Sequence, residues 1–262
     1  MDSVPIPEAR THVPPVRALE RGIRLLQSFA PTCTRMTLTE LAAAGGIDKA
    51  TARRMLHTLL ALGLVEYEEH SRCYLLGAGV LELAAAVETG RDLCDVALPH
   101  MAELAERARV NVFLWVHHEG EAMCAARVRT RHPTAEATWF SVGLRTTLNC
   151  GASPRVILAF LSSDDRAEAL SRPLLARTAF SDTDPASLHQ AAQEIRARGW
   201  ELAIDDFALG FAATAAPILD RNRRLLGSLS ITTVTAELVH AGESRHLQAL
   251  LRTARAIGQA MR

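Results

Sequence analysis

The feature that most constrains this chain is a run of three short helical patterns near its N-terminus. Apolar residues recur at helical spacing from Val16 to Ala30. A second helical pattern ends at the glycine pair Gly45 and Gly46, and a third begins after Asp48, a residue suited to cap a helix. Two helices joined by a tight glycine turn and preceded by an amphipathic helix are typical of a helix-turn-helix.

A hairpin pattern follows the third helix. Two β-prone runs, 64–68 and 72–76, flank a polar turn at 69–71. Upstream, Thr37 and Thr39 are both candidates to cap the second helix. Three helices followed by a hairpin predict a winged helix-turn-helix over residues 16–77.

The third helix carries a face that suits DNA. A helical wheel places Ala50, Arg53, Arg54 and His57 opposite its apolar stripe. Cationic groups contact phosphates and guanine edges, and short residues permit close approach. Taken alone, this cluster is equally typical of a solvated helix face, but the helix and hairpin order favours DNA binding. The wing is acidic, so we expect it to contribute little. The candidate DNA-binding residues are Thr39, Lys49, Thr51, Arg53, Arg54, His57 and Arg72.

Composition limits the remaining possibilities. The 29 basic and 29 acidic residues balance, so any DNA-binding surface must be a local patch. The five cysteines are scattered without a C-x-x-C pair, which predicts reduced thiols. No signal-peptide or membrane-spanning pattern occurs, so we expect a soluble cytoplasmic protein. The proline-containing stretch 1–15 is typical of a disordered or extended arm.

From residue 93 onward, β-prone runs alternate with helical patterns. One helix is clearly marked, since Asp184 can cap it, Pro185 suits its first turn and Gly199 ends it. A polar turn at 220–224 predicts a hairpin. Hairpin-linked strands with helices at the edges indicate an antiparallel α+β layer. The other predicted elements are strands at 111–117, 122–128, 138–142, 200–204, 211–219 and 225–232 and helices at 96–109, 155–161 and 244–261.

Two pairs of adjacent polar residues are the candidates for chemistry in this half. His117 and His118 would point to opposite faces of a strand, which favours one packed and one exposed imidazole over a shared metal. Asp205 and Asp206 could form a catalytic pair, but a strand-end acidic turn is the commoner explanation. No nucleophile elbow, phosphate-binding glycine loop or zinc-protease motif occurs. We therefore predict no enzyme activity, no metal site and no cofactor.

Several segments share their order and spacing with one known family: Val16-Arg-Ala-Leu-Glu-Arg-Gly-Ile-Arg-Leu-Leu, Leu38-Thr-Glu-Leu-Ala, Asp48-Lys-Ala-Thr-Ala-Arg-Arg-Met-Leu-His-Thr-Leu, Gly63-Leu-Val and Tyr74-Leu-Leu-Gly. The chain resembles the IclR family of transcriptional regulators, and the resemblance covers nearly everything beyond residue 15. The family's third helix typically opens with a Lys-Ser-Thr run, and here Ala50 replaces the serine.

The resemblance implies the organisation of the remaining chain. A linker helix over 78–92 would join the domains and contribute to dimerisation, and residues 93–262 would form a GAF-like effector-binding domain. Independently, one short recognition helix reads too few base pairs, so we expect at least a homodimer. A dimer of dimers is implied by the resemblance alone.

The resemblance also implies an effector cavity built from three distant segments. The segments are 148–156, 205–213 and 229–232. In the first of them, Asn149 replaces a family histidine and Pro154 replaces a glycine. Backbone amides at the start of a helix suit a carboxylate, and strand hydroxyl groups can donate to it, so the chemistry favours a small organic acid. The candidate ligand-binding residues are Asn149, Cys150, Gly151, Ala152, Ser153, Asp205, Asp206, Gly210, Ser230 and Thr232.

These observations together predict a DNA-binding transcriptional regulator whose operator binding responds to a small molecule. Two alternatives stay open: an enzyme whose N-terminal domain mediates assembly, and a scaffold that binds no DNA. DNA binding with a steep salt dependence is expected only of the regulator.

Overall fold

A computed structural model describes residues 16–30, 33–86, 91–130 and 140–261 of the 262-residue chain. The chain divides into two compact units, Met1–Val87 and Glu88–Arg262. The arm predicted at 1–15 lies outside the described residues. Within the described residues, no helix is long and apolar enough to span a membrane.

The first unit is a winged helix-turn-helix, as predicted. Its small antiparallel sheet has the order β1-β3-β2. Leu25, Leu41 and Leu56, one from each of the first three helices, are fully buried and form the core. The elements are α1 (Arg17–Gln27), β1 (Met36–Thr37), α2 (Leu38–Ala44), α3 (Lys49–Ala61), β2 (Val65–Glu68), β3 (Cys73–Leu76) and α4 (Gly79–Ala85). Strand β1 was not predicted, because two residues are too few to show a period.

Local hydrogen bonds fix where α2 and α3 begin. Thr37, rather than Thr39, caps α2 in a capping box, in which Glu40 Oε2 accepts from Thr37 N at 2.7 Å. Asp48 caps α3, as predicted, and its Oδ1 accepts from Thr51 N at 2.9 Å. These caps satisfy amides that the helices leave unpaired, and they set the turn between the two helices.

The second unit is an antiparallel α+β structure, as predicted. Its main sheet has the order β6-β5-β4-β9-β8-β7, with every neighbouring pair antiparallel. The elements are α5 (Arg91–Ala108), β4 (Asn111–His118), β5 (Glu121–Val128), β6 (Arg145–Thr146), α6 (Ala152–Phe160), α7 (Ser163–Ser171), α8 (Pro185–Arg198), β7 (Glu201–Ile204), β8 (Phe211–Leu219), β9 (Leu225–Val234), α9 (Thr235–Leu238), β10 (Val239–His240), β11 (Glu243–Ser244) and α10 (Leu247–Ala260).

Helices cover both faces of the main sheet. Helices α5 and α10 pack on the face that presents Leu114 and Ile231, whereas α6 packs on the face that presents Phe113. Residues 111–116 of β4 are accordingly all buried. This two-sided burial explains why β4 reads as a continuous apolar run rather than as an alternating one.

Several boundaries differ from the sequence predictions. Residues 140–142 are not a strand, and the edge strand is β6, a short pair that the sequence did not mark; residues 138–139 lie outside the described residues. Helix α7 was missed because it buries only Ala169, which leaves a weak apolar period. The predicted α8 is confirmed, with Asp184 as its cap and Gly199 in a left-handed conformation at its end.

Candidate DNA interface and ligand cavity

The exposed face of α3 presents a group of side chains that have no partner. Lys49, Arg53, Arg54 and His57 are all exposed. Within the described residues, none of their side chains makes a hydrogen bond or an ion pair. The three charged groups and the imidazole are therefore free to contact phosphates or base edges.

Of the three further predicted DNA-binding residues, Thr51 lies in the first turn of α3, whereas Thr39 and Arg72 lie elsewhere on the first unit. Thr51 donates its hydroxyl proton to Asp48 Oδ2 at 2.6 Å, so this hydroxyl can only accept from another partner. Thr39 is exposed in the first turn of α2. Arg72 is exposed in the turn between β2 and β3, where its φ of 54° is in the left-handed region. Helix α3 is thus the element that carries most of the predicted DNA-binding residues.

The acidic wing is partly neutralised from outside the hairpin. Glu68 accepts from Ser71 Oγ at 2.5 Å and from Arg35 Nε at 3.3 Å. These two contacts, with the serine contributing most, lower the pKa of Glu68 below its ordinary value. Sequence reasoning missed Arg35, because the pairing joins residues far apart in the chain.

The second unit contains a cavity walled by aromatic rings. Trp115, Phe140, Phe207 and Phe211 line it together with alanines and with the start of α6. The space between its atoms is about 440 Å³, counting the opening. The cavity is therefore a small one with mainly apolar walls.

Ring contacts hold these walls together. The ring centroid of Phe140 lies 4.6 Å from that of Phe207 and 5.4 Å from that of Trp115, an edge-to-face arrangement in the second case. The guanidinium carbon of Arg177 lies 4.0 Å from the Phe207 centroid. Contacts between aromatic rings are individually worth about 0.5–1.5 kcal/mol beyond area burial. They therefore help to hold the walls of the cavity in place.

Hydroxyl groups supply the polar part of the lining. Ser230 and Thr232, on β9, are 2% and 5% exposed. Among the described residues, neither hydroxyl makes a hydrogen bond. Ser153 is already engaged, since its Oγ lies 3.1 Å from Ser228 Oγ and Ser228 donates to the Ala216 carbonyl. Ser230 and Thr232 therefore offer the unused hydrogen-bonding capacity of the cavity.

Five of the ten residues predicted to bind ligand line this cavity: Gly151, Ala152, Ser153, Ser230 and Thr232. Asn149 and Cys150 do not line it. The Asn149 amide nitrogen donates to the carbonyls of Leu175 and Asp182, both at 2.8 Å, and Cys150 Sγ lies 2.9 Å from the Leu175 oxygen. These two side chains anchor the segment after α7 instead of facing the cavity.

Within the acidic loop, Phe207 and Ala208 line the cavity, whereas the predicted ligand-binding residues Asp205, Asp206 and Gly210 do not. Asp205 accepts from Gly210 N at 2.6 Å and so closes the loop from which Phe207 projects. Asp206 is 3% exposed, and its Oδ2 accepts from Gly151 N at 2.8 Å. Burial raises the pKa of Asp206 above its ordinary value, although the nearby Arg155 and the Gly151 amide oppose this shift. Asp206 thus joins the loop to the start of α6.

The aromatic lining was missed by sequence reasoning. Trp115 looks like an ordinary core residue of β4, and Phe140 follows the undescribed stretch 131–139. Phe207 and Phe211 gave the one usable signal, because Phe207 lies within the predicted acidic loop and Phe211 directly follows it. Nothing in their spacing shows that four rings from distant segments meet.

The two histidines behave differently from the prediction. His117 and His118 are both partly exposed, so the expectation of one packed and one exposed imidazole is wrong. His117 Nε2 accepts from Gly120 N at 3.2 Å, which requires an unprotonated nitrogen, and burial lowers its pKa. His118 lies 3.7 Å from Glu119. Among the described residues, no cluster of three metal-ligating side chains occurs.

Comparison with known proteins matches both units. The IclR helix-turn-helix domain model matches residues 18–69, and the model for the bacterial transcriptional regulator IclR C-terminal domain matches residues 85–259. The Pca regulon regulatory protein of Pseudomonas putida is 28% identical over 240 residues, which cover 91% of this chain and 81% of that protein. The glycerol operon regulatory protein of Streptomyces coelicolor is 30% identical over 230 residues, covering 88% and 89%.

A solved structure shows the same fold. An IclR homologue from Microbacterium hydrocarbonoxydans, complexed with 4-hydroxybenzoate, superposes with a TM-score of 0.78 at 23% identity, covering 92% of this chain and 97% of that one. The two units define a DNA-binding transcriptional regulator. The chain belongs to the IclR family, whose matched members are regulators rather than enzymes. The resemblance expected from the sequence is confirmed.

Proposed function

We propose that the chain binds operator DNA through α3 and that a small planar organic acid, bound in the cavity of the second unit, modulates this binding. The observation that carries the proposal is the pairing of four aromatic walls with two buried, unpartnered hydroxyls, Ser230 and Thr232. Walls made of aromatic rings favour a flat ligand that can stack on them. The homologue seen with 4-hydroxybenzoate supports a ligand of this class. Operator DNA lies in the cytoplasm of bacteria, so the proposed regulator would act in the cytoplasm.

The acid group of the ligand would lie at the start of α6. The amides of Ala152 and Ser153 belong to the first turn of that helix, where backbone N–H groups attract anions. Pro154 has no N–H, and the Gly151 amide already donates to Asp206. Two amides and two hydroxyls therefore define the polar recognition that we propose for the carboxylate.

The DNA contacts in the proposal are those of the α3 face, with Thr39 and Arg72 as outlying phosphate contacts. The proposal keeps the linker expected over 78–92 and the effector domain expected over 93–262. A ligand that binds one conformation of the effector domain more tightly shifts the population toward it, and linkage requires the reciprocal effect of DNA on ligand affinity.

Calorimetric titration of the full chain with 4-hydroxybenzoate, benzoate and a short aliphatic acid tests the ligand class. We expect the aromatic acids to bind better, and Ser230→Val with Thr232→Val to weaken binding about tenfold, the cost of one to two lost hydrogen bonds. Thr233→Val on the same strand is the matched control, since Thr233 donates to Glu237 instead. Equal binding in all three proteins would place the site elsewhere.

We also propose that a second copy of the chain covers an apolar surface of the first unit. On α1, Leu19 is 65% exposed and Ile23 is 45% exposed, and on α4, Leu81 is 73% exposed. Leu19 and Ile23 lie four residues apart on one face of α1, and an exposed apolar patch is typical of an interface. Ile23→Glu with Leu81→Glu should halve the mass in light scattering and weaken operator binding, whereas Leu209→Glu should not. A parent chain that is monomeric with and without DNA contradicts the proposal.

A further inference from the structure

Many surface arginines of the second unit are paired with carboxylates. Arg107 lies 3.0 Å from Glu103, and Arg172 lies 2.7 Å from Glu168. A cleft of about 590 Å³ between the end of α8, the turn after β8 and α10 departs from this pattern. Its described lining contains a single acid, Asp220, and five arginines: Arg196, Arg198, Arg221, Arg223 and Arg255.

The cations of this cleft are not neutralised by its acid. Asp220 Oδ1 accepts from the backbone amides of Asn222 and Arg224, at 2.8 and 2.7 Å, and so folds the turn. Arg223 and Arg255 are exposed, and within the described residues their side chains make no hydrogen bond or ion pair. The cleft therefore keeps at least two free guanidinium groups.

The other three arginines have structural partners. Arg196 donates to the carbonyls of Ala159 and Leu161 at the end of α6, and Arg198 pairs with Glu201. Arg221 makes one long contact, 3.4 Å, to a carbonyl of α10. Although engaged, these groups still contribute positive charge to the walls of the cleft.

The turn and α10 are held in close contact, which fixes where the free arginines lie. A Cβ atom added to Gly258 of α10 would come within 2.1 Å of the Leu219 carbonyl oxygen. Only glycine allows the helix to approach the end of β8 this closely. Arg255 of α10 and Arg223 of the turn therefore line one cleft from two segments that are packed together.

We propose that this cleft binds a small molecule carrying two or more phosphate groups. Guanidinium groups form paired, charge-assisted hydrogen bonds with phosphate oxygens, and several arginines around one cleft match several negative charges. Pro217 and Leu251 give the cleft an apolar side that can contact a ring or base. A concave site of this size suits a small ligand better than a duplex backbone. The site shares no lining residue with the aromatic cavity and does not depend on it.

Calorimetry of the full chain with inorganic tripolyphosphate and with ATP, at constant ionic strength, tests this proposal. We expect saturable one-to-one binding of at least one probe, weakened about tenfold or more in Arg223→Gln with Arg255→Gln, since each lost bond to a charged group costs that much. Arg252→Gln is the matched control, because Arg252 is exposed on α10 but lies outside the cleft. Stronger binding of ATP than of tripolyphosphate would show that the apolar side of the cleft contributes to binding.

Three results would overturn the proposal. The first is no saturable binding of either probe. The second is an equal loss in Arg252→Gln, which would show attraction to net charge only. The third is a flatter salt dependence of operator binding in the Arg223 and Arg255 variant without phosphate binding in the parent, which would make the cleft a DNA contact.

Discussion

The two units expose opposite kinds of functional surface. On α3 the basic side chains are exposed and unpaired, whereas the cavity of the second unit is built from buried or partly buried rings and two buried hydroxyls. The first surface needs one helix with a solvated face. The second needs β4, β8, β9, the start of α6 and the loop after β7 to meet. In the function proposed above, DNA recognition thus depends on one element, and ligand recognition depends on the packing of several.

This difference has an energetic consequence. Exposed residues away from caps and tight turns change stability little when replaced, so substitutions on α3 should alter binding alone. Residues of the cavity wall are also core residues, and replacing them should alter stability and binding together.

The largest effect is expected at Phe140, which is 6% exposed and contacts three other rings. Phe140→Ala should destabilise the second unit by about 3–5 kcal/mol, as burial loss and cavity formation add. Denaturant unfolding followed by circular dichroism measures this change. The matched control is Phe180→Ala, since Phe180 is 64% exposed and its loss should cost under about 0.5 kcal/mol. Equal costs would contradict the packing described for the cavity.

The next effect concerns DNA affinity. Arg53→Ala or Arg54→Ala should cost about 1–3 kcal/mol where a base contact is lost, or reduce the salt slope of operator binding by about one where a phosphate contact is lost. The unfolding midpoint should stay that of the parent, because neither side chain has a partner in the described structure.

Arg107→Ala provides the control for this experiment. Arg107 is exposed on α5 and pairs with Glu103, an exposed ion pair expected to be worth only about 0–1 kcal/mol of stability. Operator binding of this variant should match the parent over the whole salt range. Parent-like binding in both Arg53→Ala and Arg54→Ala would show that α3 does not read the DNA.

The smallest effect is a pH dependence of stability from His117. Burial lowers its pKa in the folded chain, so the unfolded chain takes up the proton first as the pH falls through the ordinary value of 6.5. Stability is therefore fully present above that pH and is lost as the pH falls toward the folded pKa. His117→Gln, which can still accept from Gly120 N, should show a shallower decline in unfolding midpoint between pH 7.5 and 5.

A second histidine must be measured in parallel. Burial also lowers the pKa of His246, which acts with the same sign. The His246→Gln variant therefore shows how much of the remaining pH dependence of the unfolding midpoint comes from His246. A parent-like slope in His117→Gln would assign the whole dependence to other groups.

Much of the fold could be predicted from sequence because its elements carry local signals. Asp184, Pro185 and Gly199 mark both ends of α8, and Asp48 marks the start of α3. Weakly patterned elements were missed for the same reason: α7 buries one residue, and β6 has only two. Local signals are reliable where capping and periodicity coincide.

The ligand cavity could be predicted only in part. Ser230 and Thr232 lie on a strand whose alternation is readable, and both line the cavity. Asn149 and Asp206 were equally plausible from sequence, yet their hydrogen bonds turn them into anchors for neighbouring segments. A polar side chain in a motif can face a ligand or its own backbone, and sequence does not distinguish the two.

By itself, the sequence determined the winged helix-turn-helix, the cations of α3 and the antiparallel character of the second unit, since these depend on capping, periodicity and charge within single elements. Only the tertiary structure decided which rings form the cavity and which arginines stay unpaired beside α10. Those properties depend on contacts between residues tens of positions apart, such as Phe140 with Phe207 and Gly258 with Leu219. Such contacts form when elements pack, and no local spacing encodes them.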